Sequence, residues 1–223
     1  MVARIATFRN RRYNAYVPAA AYAADVIHSK AYQVDFGTPA APVANGILNL
    51  YSIAAAGTTT VFASDTADAP FGRNVTVVAS GAATSNVTVR GRDYLGQPVA
   101  ESMTLNGATP VVGVKAFKWI DAIQVGATAA TTINVGFGAR LGLPYRFSQV
   151  DNEAVNGVGG TVGTLTAGSL TDPQTALTPD PRGLYTPTGA LNGTNKITAD
   201  FMVHNYLNGN GNGGIYGIAH FSS

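Results

Sequence analysis

The sequence predicts an all-β fold, an antiparallel β-sandwich or barrel with an extended N-terminal arm and a long irregular excursion, on three observations. From residue 46 onward, short runs of β-forming residues are divided by Gly, Asn, Pro and Asp. Within several runs apolar and polar residues alternate with period two, as half-buried antiparallel strands require. No segment has the length and 3.6-residue periodicity of a substantial amphipathic helix.

Residues 1–45 read as an arm. Arg4, Arg9, Arg11 and Arg12 fall in the first twelve residues with no acid among them, which leaves ten basic against twelve acidic residues in the rest of the chain. Arginine's planar fork pairs with carboxylates and phosphates, so the arm suits an acidic protein surface ahead of packaged nucleic acid. A solvated terminus is the plain alternative. Tyr13, Tyr16 and Tyr22 stand among alanines, with a short helix expected near 19–24. Tyrosines hold too much apolar area to leave in water, so they are expected against the body or a neighbouring subunit.

Residues 46–140 form the expected β core, with strands at 47–53, 59–63, 74–79, 86–92, 99–105, 117–125 and 131–137. Alternation is clearest in Asn86-Val87-Thr88-Val89-Arg90 and in Glu101-Ser102-Met103-Thr104-Leu105. Residues 141–195 hold Gly157, Gly159, Gly160 and Gly163, then Pro173, Pro179, Pro181 and Pro187, and read as an irregular excursion laid across a neighbour or as a surface linker. Residues 196–223 read as a β-hairpin, with runs 197–207 and 214–221 about the Asn/Gly-rich turn 208–213. A lone hairpin is marginal in water, so it is expected to join a sheet.

Composition narrows the function. Only 12% of residues are charged while 46% are hydrophobic, so much of the surface is Ala, Thr, Ser, Asn and Gly. Such a surface costs little to desolvate and suits an assembling protein. The chain has no cysteine, which excludes disulfides, thiolate metal sites and a cysteine nucleophile. It shows no signal-peptide-like run after Met1 and no apolar stretch long enough to span a bilayer, so synthesis in a cytoplasm and no membrane partner are expected.

Signals for chemistry are weak. Of the three histidines, His28, His204 and His220, the last two could face each other across the hairpin with Asp200 nearby, but no third ligand is indicated. Only two glutamates occur, and most aspartates sit in turn contexts. No nucleophile elbow, metalloprotease helix or phosphate loop is present, and Gly157-Val158-Gly159-Gly160 reads as a flexible loop. Arg90 and Arg92 precede Asp93 and predict a local ion pair. No enzyme activity, cofactor or metal is expected, and direct nucleic-acid contact is not favoured.

One stretch carries more. Asn86-Val87-Thr88-Val89-Arg90-Gly91-Arg92-Asp93-Tyr94-Leu95-Gly96-Gln97-Pro98-Val99-Ala100-Glu101-Ser102-Met103-Thr104-Leu105-Asn106-Gly107, followed by Val114-Lys115-Ala116-Phe117-Lys118-Trp119-Ile120, resembles virion structural proteins of tailed bacteriophages, most closely head decoration (cement) proteins. Asp-Tyr-Leu-Gly-Gln-Pro and Asn106-Gly107 are its turns. The resemblance covers roughly residues 70–140 and implies a capsid-surface protein of the virion, often a homotrimer, whose partner is the major capsid protein and which has no catalytic residues. The arm lies outside it; on physical grounds Arg4, Arg9, Arg11, Arg12, Tyr13 and Tyr16 are the candidate capsid contacts. The alternative is a receptor- or carbohydrate-binding β module of a tail or fibre, with Tyr94, Trp119, Tyr206 and Tyr216 as a stacking platform, although Trp119 reads more easily as core.

Overall fold

A computed structural model describes residues 30–203 apart from 54–57, 128–129, 170 and 172. Among the described residues there is no helix, and the chain forms β1 (Lys30–Gly37), β2 (Leu48–Ile53), β3 (Thr59–Thr66), β4 (Arg73–Ala79), β5 (Asn86–Arg92), β6 (Pro98–Thr104), β7 (Val111–Val112), β8 (Trp119–Val125), β9 (Thr131–Gly142), β10 (Gln149–Val155), β11 (Val158–Gly160), β12 (Thr164–Thr166), β13 (Leu184–Thr186) and β14 (Ile197–Val203). All pairings are antiparallel and build three sheets: a terminal sheet β1-β14-β10-β11, a central sheet β12-β13-β9-β4-β7 with β2 also on β9, and an outer sheet β3-β8-β5-β6.

Period-two patterning decides which face of each strand is buried. In β5, Val87 and Val89 point inward while Arg90 is exposed; in β8, Ile120, Ile123 and Val125 are buried. These side chains meet Val75, Val77, Ile133 and Val135 of the central sheet to form a sandwich core. A second core joins Val34 and Phe36 of β1 and Ile197, Ala199 and Phe201 of β14 to Leu141, Phe147 and Tyr185. Aromatic contacts tighten it: Phe147 stacks on Phe201 at 4.7 Å and Phe36 on Tyr185 at 5.7 Å. Strand β9 links the two cores, with Ile133 and Val135 in the first and Leu141 in the second. Gly136 lets the 43–44 backbone cross it, because a Cβ there would collide with the Val43 carbonyl.

Each run expected in 46–140 coincides with a strand to within a few residues, and β9 continues to Gly142. Two parts differ from the sequence reading. Residues 30–37, placed in the arm, are a strand paired to β14 with Val34 and Phe36 buried. The segment 141–195 contains β10 to β13, and the glycine loop at 157–160 is a tight hairpin in which Asn156 (φ 51) and Gly157 (φ 82) turn the chain into β11. The described part of the expected hairpin's first run is β14, which lies between β1 and β10. The rest of the expected hairpin, and the 19–24 helix, lie outside the described residues.

Candidate interaction surfaces

Among the described residues seven charged side chains are buried: Arg73, Asp93, Glu101, Lys115, Glu153, Asp180 and Arg182. They clamp loops. Glu101 sits on β6 on the same face as Met103, pointing into the sandwich, where its carboxylate accepts the Val114 and Lys115 amides. Asp180 accepts the Ala116 and Arg182 amides, so two carboxylates from distant segments bind three successive amides of the 114–116 turn. The Lys115 ammonium donates to the Thr175 carbonyl at 2.6 Å. Arg182 pairs with Asp93 at 2.8 Å and lies 5.1 Å over the Tyr94 ring.

These contacts fasten a strap, residues 169–183, over the free edge of the outer sheet, where the Ser102 amide of β6 donates to the Ala176 carbonyl at 2.8 Å. Among the described residues of the strap, Leu177 is 78% exposed and no side chain joins either apolar core; polar contacts hold them. Burial shifts its charges. It pushes the Glu101 carboxyl up to about 7 against the lowering pull of the two amides and Lys115, and it pulls the Lys115 ammonium down.

Two further clamps act elsewhere. Arg73 donates to the Gly138 and Ala40 carbonyls and to Asp68, which holds the 38–42 segment against β9. Burial raises the Asp68 carboxyl, but the Ala40 amide and the Arg73 charge outweigh it and leave it below the usual range. On β10, Glu153 accepts from five donors: the Gly163, Thr188 and Gly189 amides and the Thr188 and Tyr185 hydroxyls. Desolvation raises Glu153, and those hydrogen bonds reverse it to a net lowering.

The outward face of the outer sheet is a grid of paired rows. Phe62, Ala122, Arg90 and Ala100 follow one another across β3, β8, β5 and β6; beside them run Thr60, Gln124, Thr88 and Ser102. Phe62 is 86% exposed, the highest value among the exposed large apolar side chains described. Arg92 forms a two-pronged exposed pair with Asp121, while Asp93 turns inward to Arg182. The Arg92–Asp93 pair expected from their adjacency is therefore not made, because neighbouring strand residues point to opposite faces.

Sequence-predicted site residues divide by location. Arg4, Arg9, Arg11, Arg12, Tyr13 and Tyr16 lie outside the described residues, as do Tyr22, His28, His204, Tyr206, Tyr216 and His220. Tyr94 is engaged within the fold: Arg182 lies over one face, the Phe71 ring packs perpendicular to it at 5.2 Å, and its hydroxyl donates to the Pro144 carbonyl. Trp119 is half-buried on β8 between Thr66 and Arg92, outside both apolar cores. The strap clamps were invisible in sequence, since Glu101, Lys115 and Asp180 meet only across long separations; only Glu101 within an alternating strand signalled an acid on the apolar face. Among the described residues no group of three or more His, Asp or Glu is placed to hold a metal. No protein-family model, no curated protein and no solved structure matches the chain.

Proposed function

We propose that this chain is a structural protein of a virus particle, a decoration (cement) protein that binds and stabilises the assembled major-capsid lattice of a tailed bacteriophage. The observation that supports it most is where the charges sit. Among the described residues seven charged side chains are buried as loop clamps, so the described surface is poorer in charge than the low-charge composition already implies. A rigid β body with a neutral Thr/Ser/Ala exterior loses little on desolvation against a partner. The sequence resemblance over roughly 70–140 supplies the partner class.

The mechanism is stapling without chemistry. Copies bury surface across junctions between capsid subunits, and because they bind the assembled lattice and not the free subunit, occupancy stabilises the lattice by mass action. Arg4, Arg9, Arg11 and Arg12, with Tyr13 and Tyr16, add charge-assisted and apolar contacts to acidic capsid surface. The test is reconstitution on purified heads lacking the protein, read by electron cryomicroscopy. Uniform coating is expected, with reduced occupancy for a variant lacking residues 1–12. Bare heads, or glycan binding in their place, would move the reading to a receptor-binding tail module.

A further inference from the structure

The outer sheet treats its two edges differently. The β6 edge is covered by the strap through the Ser102–Ala176 hydrogen bond. At the other edge, β3 pairs with β8 alone among the described residues, leaving one side of an eight-residue strand open. Open edges are templates for pairing with another chain, and proteins that stay apart guard them with lysine, proline, short length or irregular backbone.

The other open edges are guarded in these ways. β7, β11 and β12 span only two or three residues. β2 is broken at Leu50, whose φ is 45. β1 carries Asp35 in an exposed ion pair with Lys196 at 2.9 Å. Strand β3, Thr-Thr-Val-Phe-Ala-Ser-Asp-Thr, has no lysine, arginine or proline and a single charge, Asp65; its guard is the bulge between Phe62 and Asp65 alone, and Phe62 stands on its outward face.

We propose that β3 is a self-association edge at which two copies of this chain pair antiparallel about a two-fold axis through Phe62, joining their outer sheets. The strand is complementary to itself in that register. Phe62 meets Phe62 of the second copy, Thr60 meets Ser64, Val61 meets Ala63, and Asp65 meets the neutral Thr59, so no like charges oppose each other. The bulge between Phe62 and Asp65 shortens the usable ladder, which makes the interface small and its dimer concentration-dependent. The inference does not rest on the capsid reading, and it places a two-fold contact where the resemblance implies a three-fold one.

The absence of cysteine makes the register testable. Residues directly opposite in an antiparallel pair have Cα atoms about 4.5–5.5 Å apart, within disulfide range. Phe62→Cys in the full chain is therefore expected to give a disulfide-linked dimer on a non-reducing gel, whereas Leu177→Cys, equally exposed but on the strap, is not. In sedimentation equilibrium the unmodified protein is expected to shift from the mass of one chain toward two as concentration rises, and Phe62→Lys to lose that shift. Because Phe62 is 86% exposed, neither substitution disturbs a core. Association of Phe62→Lys equal to that of the unmodified chain, a monomer at every concentration, or equal cross-linking of Leu177→Cys each overturns the proposal.

Discussion

Glu101 should make this protein less stable as pH rises through neutrality, opposite to the usual behaviour of carboxylates. Burial inside the sandwich holds its carboxyl at about 7, against an ordinary value of 4.5. The folded state therefore binds the proton more tightly than the unfolded chain does. Its favourable contribution is complete below about 4.5 and is lost as pH climbs through about 7. The rise from 4.5 to about 7, at about 1.4 kcal/mol per pH unit, amounts to about 3.5 kcal/mol in all, of which about 2.5 kcal/mol falls between pH 5 and pH 8. Glu101→Gln removes the titration while keeping an oxygen for the Val114 amide. Urea unfolding at pH 5, 6, 7 and 8, compared between the two proteins, isolates Glu101 and the groups coupled to it, because the titrations of uncoupled groups cancel in the difference. The unmodified chain is expected to lose about 2.5 kcal/mol relative to Glu101→Gln across that range. Parallel pH profiles would refute the reasoning and show that the two backbone amides and Lys115 compensate the buried charge fully.

Arg182→Met leaves Asp93 buried without its cation and is expected to cost about 3–5 kcal/mol in urea unfolding, while the double variant with Asp93→Asn recovers part of the loss. The same single change should raise hydrogen exchange at the Ser102 amide, since the strap that covers it loses one of its clamps. Gly136→Ala drives a methyl into the Val43 carbonyl and is expected to cost about 3 kcal/mol or more, read as a lower urea midpoint with unchanged slope; a neutral result would mean the 43–44 crossing is not held against β9. At acid pH, Glu153 and Asp68 act in the sense opposite to Glu101: their lowered carboxyls contribute stability above the ordinary carboxylate range that is lost as pH falls below it, so Glu153→Gln should flatten the acid limb of the stability profile.

The sequence by itself determined the fold class and most of the strands between 46 and 140, because period-two alternation is a local property of the chain and Asp93, Gly96 and Gly107 punctuate it with turn chemistry. It also determined the low charge and the missing cysteine on which the functional reading and its test depend. Tertiary structure alone decided the rest. β1 and β14 lie 160 or more residues apart in the chain, and each becomes a strand by finding the other, as Tyr32 does opposite Phe201. The β10 to β13 stretch looked irregular because its glycines weaken local propensity, yet pairing with β9 and β14 overrides that weakness. Glu101 is legible as an acid at an apolar position of an alternating strand, but its partner at 115 and that of Asp93 at 182 are distant in sequence, and no local pattern announces them. Likewise, a strand reads the same in sequence whether it lies at the centre of a sheet or at its rim. That β3 is an open edge and β6 a covered one is settled only when the strands are ordered in space.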